Sequence, residues 1–281
     1  MPELAVSGLN VIISERIPKI MHTQVQESRF KHNQIRQDAV VIVGAGRFGS
    51  RAARILNQKT NSRILVVDMD EGPLCQLSGL SVERISCDGI RFLVDNCHLV
   101  GPKSIIVPAL PVHLAFEWVK VYLAGKYQIE MISVPEKTAT ELPHTWEGAG
   151  GSLLISYADF RCPDDCSEPE FCTVTGEHRV EPLHDLLTRL DLPGFRVHVI
   201  RSHQLAPGLG GFLMADLFRA VEKLTGDRPG KWVLGTGCRC HGILTAFEIH
   251  LFGESRKAKL DASTVHEKQN LGRDFSVLCL S

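Results

Sequence analysis

Between residues 39 and 134 short apolar runs alternate with stretches of helical period. Val40-Val41-Ile42-Val43 is unbroken and β-branched, as a strand covered on both faces requires. Helical spacing follows over 47–58, Asn61-Ser62 interrupts the chain, and a second apolar run stands at Ile64-Leu65-Val66-Val67. Gly72-Pro73 opens a short helix, and further strands are expected at 81–86, 104–107 and 129–134. A strong helix spans 114–123 and carries Trp118 and Tyr122 as core residues. Strands alternating with helices in this way predict an α/β fold, a Rossmann-type doubly wound parallel sheet with right-handed crossovers.

After Pro135 the pattern changes. Gly148-Ala149-Gly150-Gly151 reads as a joint. Strands are expected at 153–160, 195–200, 232–234 and 244–251, with helices at 182–190 and 212–224. Pro207-Gly208-Leu209-Gly210-Gly211 reads as a turn that opens the second of these helices, where its glycines could also cradle an anion. The expected organisation is a Rossmann domain at 38–135 and a smaller α/β domain at 150–253. They are flanked by a weakly ordered extension at 1–37, with Met21 as an alternative start, and a charged tail at 254–281.

The turn after the first strand carries the chemistry. Gly44-Ala45-Gly46-Arg47-Phe48-Gly49 is G-x-G-x-x-G between a strand and a helix. Gly44 permits the tight turn, Gly46 lets a pyrophosphate approach the backbone, and Gly49 lets helix and sheet pack closely. Free N–H groups at the helix start attract phosphate. Asp68 ends the second strand, nineteen residues after Gly49, where a carboxylate accepts hydrogen bonds from a ribose diol and repels a 2′-phosphate. The expected ligand is NAD rather than NADP.

Composition narrows the classes. The 281 residues are 44% hydrophobic and 22% charged, with a formal net charge of −1. That balance suits a globular protein with a sizeable core and gives nucleic-acid binding no electrostatic footing. No apolar run approaches the roughly 20 residues of a membrane span, and no signal peptide is legible, so a cytoplasmic location is expected. G-x-S-x-G, H-E-x-x-H and the P-loop are absent from the sequence, which leaves hydrolase and kinase readings without support.

Nine cysteines are a high count for such a chain. Cys162, Cys166 and Cys172 share one loop, and Cys238-Arg239-Cys240-His241 lies in another. Converging thiolates suit an iron–sulfur cluster or zinc. The expected ligands are Cys162, Cys166, Cys172 and Cys240, with Cys238 or His241 as substitutes. Reduced loop thiols, or a redox pair at Cys238 and Cys240, are the competing readings. His113 follows the strand at 104–107 and could line the nucleotide edge or cap the next helix. His203 is an acid/base candidate or a surface loop residue.

Residues 40–107 resemble the RCK or TrkA-N type of NAD-binding domain. The likeness rests on Gly44-Ala45-Gly46-Arg47-Phe48-Gly49, Val67-Asp68-Met69-Asp70, Cys87-Asp88-Gly89 and Phe92-Leu93. It implies that Gly44, Gly46, Arg47, Phe48 and Gly49 form the nucleotide loop, that Asp68 holds a ribose, and that Asp88 lies beside the adenine, with Cys87 in place of the family's glycine. Nothing downstream resembles that family's C-terminal ligand domain, so potassium transport does not carry over. A second stretch is similar to the Gfo/Idh/MocA dehydrogenases: Pro108-Ala109-Leu110-Pro111-Val112-His113, Leu123-Ala124-Gly125-Lys126 and Glu136-Lys137, with Thr138 where that family has proline. This likeness implies a catalytic role for Lys137.

The first functional expectation is an NAD(H)-binding, redox- or nucleotide-responsive regulatory protein with a cysteine-held metal. The alternative is an NAD-dependent oxidoreductase acting on a small molecule, with Lys137 or His113 moving the proton. A structural protein stabilised by nucleotide and metal is the third. The partners expected are the dinucleotide, an unidentified small molecule or protein, and a second copy of the chain in a homodimer.

Overall fold

In the computed structural model, which describes residues 38–226 and 229–252, the apolar run at 40–43 is the centre of a sheet. The expectations for 1–37, Met21 included, and for 254–281 lie outside the described residues. The first half runs β1 (Ala39–Val43), α1 (Arg47–Lys59), β2 (Arg63–Asp68), α2 (Glu71–Cys75), β3 (Glu83–Ser86), α3 (Gly89–Asp95), β4 (Ile105–Pro108), α4 (Leu114–Leu123), β5 (Tyr127–Ile132) and α5 (Glu136–Glu141). The second half runs β6 (His144–Glu147), β7 (Leu153–Ser156), α6 (Leu183–Thr188), β8 (Arg196–Arg201), β9 (His203–Ala206), β10 (Leu209–Leu213), α7 (Met214–Gly226), β11 (Gly230–Gly237) and β12 (His241–Leu251).

The first sheet has the order β3-β2-β1-β4-β10-β9. Its first four strands are parallel. Every residue of β1 is buried, because both sheet faces are covered. Val40 and Ile42 pack with Ala52, Ala53 and Leu56 of α1 and with Leu74 and Leu77. Val41 and Val43 point the other way, and a Cβ on Gly89 would come within 2.4 Å of Val43, so α3 starts directly on that face. The Rossmann-type α/β architecture expected from the alternation is present.

The second sheet has the order β6-β7-β12-β11-β8. β12 is long enough to take two partners on one side, β7 along 241–244 and β5 along 246–251, both antiparallel. α6 covers it through Leu183 and Leu187. α4 lies between the sheets: Phe116 meets Phe247 of β12 at a ring separation of 5.3 Å, and Trp118 meets Phe218 of α7 edge-on. Full burial of Trp118 and Phe116 makes this helix the common core, where truncating such a ring costs about 3–5 kcal/mol.

Two expectations are corrected. The strand expected at 129–134 starts at Tyr127 and pairs with β12 rather than with the parallel sheet. The glycine-rich run at 207–211 does not open a helix. It forms the β9–β10 hairpin, and β10 joins the first sheet antiparallel to β4. The reason is steric: a Cβ on Gly211 would meet the Ile106 carbonyl oxygen at 2.8 Å, so the absent side chain permits strand pairing. His203 starts β9 and is exposed.

Candidate functional site

The strand order places β1 and β4 side by side with their crossovers running to opposite sides, which makes their carboxyl edge the ligand-binding crevice of an open α/β sheet. Each glycine of the loop there has a separate physical reason. Gly44 has φ +106°, and a Cβ on it would meet the Ala109 carbonyl oxygen at 2.5 Å. A Cβ on Gly49 would fall 1.9 Å from the Gly44 carbonyl oxygen. Gly46 differs: nothing lies within 4 Å of where its Cβ would stand, so its missing side chain leaves open space over the loop. α1 begins next to it with no side-chain cap and no acidic residue in its first turn, which keeps its N–H groups and positive dipole end available to an anion.

Asp68 is fixed at the same edge. One carboxylate oxygen accepts from the Ala45 N–H at 2.5 Å and the other from the Asp70 N–H at 2.9 Å. Asp88 caps α3 through the Arg91 N–H at 2.8 Å and lies on an open cleft of about 430 Å³, shared with Ile90, Leu110 and Val112. Phe48 is partly exposed beside the loop.

The two expected proton-transfer groups do not meet there. Lys137 is exposed on α5 and pairs with Glu141 at 3.2 Å. His113 is buried with both ring nitrogens engaged, Nδ1 with the Thr245 hydroxyl at 2.8 Å and Nε2 with the Thr236 hydroxyl at 2.9 Å. Burial pushes its pKa down to about 3, so it is a neutral residue tying α4 to β11 and β12.

The cysteine-rich loop sits against the glycine loop. Asp164 pairs with Arg47 at 2.6 Å, and that guanidinium holds its carboxyl below the usual carboxylate range. Arg51 donates to the Pro207 and Gly208 carbonyls, and the Gly208 N–H donates to the Cys166 carbonyl at 2.6 Å. A Cβ on Gly208, at φ +66°, would strike the Asp164 carbonyl oxygen at 1.8 Å, so this glycine seats the loop.

The sulfurs of Cys162, Cys166 and Cys172 in the loop and of Cys240 in the β11–β12 turn do not all lie within 4.8 Å of one another. The donor atoms that do lie within 4.8 Å of one another, among the described residues, belong to Glu168, Cys238 and His241. The cause is the turn between β11 and β12. The Cys238 N–H donates to the His241 carbonyl, which brings residues three apart onto one side, so Cys238 faces His241 rather than joining Cys240. Cys238 Sγ lies 3.8 Å from His241 Nδ1, and Cys162 Sγ lies 3.5 Å from Nε2. Burial, then the Glu168 carboxylate, pushes the Cys238 thiol up to about 12, and the same two causes lift Cys240 to about 11. Burial also raises Cys162. Cys172 goes the other way, down to about 7, through hydrogen bonds from Thr175. Arg51, Asp164 and Glu168 were not legible as site residues. Cys238 and His241 were legible only as substitutes for Cys240 in a thiolate site.

The fold and this edge define a nucleotide-binding Rossmann domain. Residues 40–92 match the TrkA-N domain, and this part of the chain is of that type. Residues 115–250 match a family described as an uncharacterized protein, C-terminal domain. A protein of Archaeoglobus fulgidus, named only as an uncharacterized protein, is 27% identical over 226 residues, 74% of this chain and 98% of its own length. No solved structure matches the chain. No helix among the described residues is long and apolar enough to cross a membrane.

Proposed function

We propose that the chain is an NAD(H)-binding regulatory protein whose responsive element is the cysteine-rich loop, with a metal held there. The observation that carries the nucleotide reading is the uncapped start of α1 over open space at Gly46, facing an Asp68 carboxylate already fixed by the Ala45 N–H. Gly44, Gly46, Arg47, Phe48 and Gly49 would surround the phosphates, Asp68 would take a ribose diol, and Asp88 would stand beside the base. The TrkA-N match supports this assignment. The carboxylate of Asp68 favours NAD(H) over a 2′-phosphorylated dinucleotide.

A hydride-transfer enzyme needs a proton donor at the same edge. His113 is turned into the second sheet and Lys137 toward Glu141, so regulation is the better-supported reading. Calorimetry on the full chain tests it. NAD⁺ or NADH should bind, and NADP(H) should bind at least about tenfold more weakly, a difference of about 1.4 kcal/mol. No heat with either NAD⁺ or NADH would end this reading.

A further inference from the structure

We propose that Glu168, Cys238 and His241 form a mononuclear site for zinc or a similar divalent cation. This rests on the reading above only in placing a metal at the cysteine-rich loop. The ligand set differs from the four thiolates that the sequence suggested.

The three donor atoms come from two separate segments and converge within 4.8 Å. Two tetrahedral ligands on zinc, with bonds of about 2.3 Å to sulfur and about 2.0–2.1 Å to nitrogen, stand roughly 3.5–3.6 Å apart. The 3.8 Å from Cys238 Sγ to His241 Nδ1 is close to that separation. On binding a divalent ion Cys238 would give up its thiol proton, and the ion would neutralise the resulting thiolate together with the Glu168 carboxylate. The Glu168 side chain accepts from the Arg239 backbone N–H at 3.2 Å, an orienting contact that leaves carboxylate lone pairs for a cation. Glu168 is also the non-glycine residue among those described whose backbone is left-handed, at φ 51°. From that position its carboxylate reaches the Arg239 N–H in the β11–β12 turn.

Cys162 has a different part. Its sulfur faces Nε2, the other ring nitrogen, at 3.5 Å. Metal-bound histidines usually donate that second N–H to an acceptor, which fixes the tautomer. Cys162 is thus a positioning residue for His241. The Cys238 sulfur is in turn approached by the His241 backbone N–H at 3.3 Å, a contact that steadies a thiolate. Mixed S, N and O donors suit zinc, whereas an iron–sulfur cluster requires several thiolates on one centre. Three protein ligands leave a fourth position for water.

The test is metal analysis of the full chain purified without oxygen and without chelator. About one zinc per chain is expected. Cys238→Ser and His241→Ala should lose it, Glu168→Gln should weaken its retention at least tenfold against a chelator, and Cys240→Ser should keep it. Should the ligand variants fail to fold, cobalt substitution of the wild-type chain gives a second readout, with tetrahedral visible bands and a single-thiolate charge-transfer band expected. Gly46→Val should retain its zinc, which separates this proposal from the nucleotide reading. Absence of bound metal in zinc-replete preparations would overturn the proposal. So would iron with acid-labile sulfide, or zinc retained in folded Cys238→Ser.

Discussion

Gly46 offers a clean separation between folding and binding. Its φ is −58°, which any residue adopts, and nothing lies within 4 Å of an added Cβ. Gly46→Ala therefore adds no clash. It loses some cap preference, roughly 0.5–1 kcal/mol, and regains about 0.4–1 kcal/mol by restricting the unfolded chain. The net change in stability should be under about 1 kcal/mol, or a shift in Tm of about 2–4 °C at most for a chain of this size. The space removed is the space where the proposed phosphate site lies, so NADH affinity should fall at least about tenfold, and further in Gly46→Val. Gly49→Ala is the contrasting control. Its Cβ would fall 1.9 Å from the Gly44 carbonyl oxygen, and overpacking of that kind costs about 1–3 kcal/mol or more. Thermal unfolding with and without NADH, together with calorimetry, reads both quantities. If Gly46→Val folds normally and binds NADH as the wild type does, the loop is not the phosphate site and the reasoning fails.

Two other outcomes follow from the same contacts. His113 has a folded pKa of about 3 against an ordinary 6.5, so between those values the unfolded chain binds the extra proton and stability falls as the pH drops. Its share is up to about 5 kcal/mol by full linkage, and urea unfolding of His113→Gln should lose that part of the acid slope; an unchanged slope would refute it. On the proposed reading Asp164 competes with a bound phosphate for Arg47, so Asp164→Asn should tighten NADH binding by about two- to fivefold while Arg47→Ala weakens it, as calorimetry would show.

The glycine turn after β1 was legible because its signals are local. Gly44, Gly46 and Gly49 are specified by backbone geometry within one turn, and β1 announces itself by five buried apolar residues in a row. Pairing between distant strands left no such mark. β5 carries Gln128 and Glu130 between apolar residues, a half-exposed pattern that fits an antiparallel edge position better than a parallel core, yet periodicity alone does not name its partner. The run at 209–213 was misread because glycine signals a turn more often than a strand, and only the closeness of the Ile106 carbonyl shows why a strand needs glycine there. The grouping of Glu168 with Cys238 and His241 was not the arrangement expected, for a related reason, although Cys238 and His241 stood among the substitutes. Counting cysteines favoured Cys240, but which side a residue faces in a tight turn depends on the hydrogen bond from Cys238 to His241, and Glu168 was invisible as one acidic residue among many.

The contacts also bound how strongly nucleotide and cysteine loop can influence each other. Arg47 and Asp164 are both largely exposed, and solvent screens such an ion pair, so this link alone supports only a weak coupling of a few-fold. Tighter coupling would have to pass through packing. Gly208 provides that route, since its N–H bonds the Cys166 carbonyl and the place of its missing Cβ is filled by the Asp164 carbonyl, so the loop cannot advance without moving the β9–β10 hairpin, which is hydrogen-bonded to β4 in the first sheet. Arg51 bridges the same hairpin turn to α1. A ligand that draws Arg47 away from Asp164 therefore acts first on a weak contact, and a large response requires the rigid one at Gly208 to shift with it. The size of the measured coupling, below or above about 1 kcal/mol, distinguishes a loop that merely releases from a hairpin that moves.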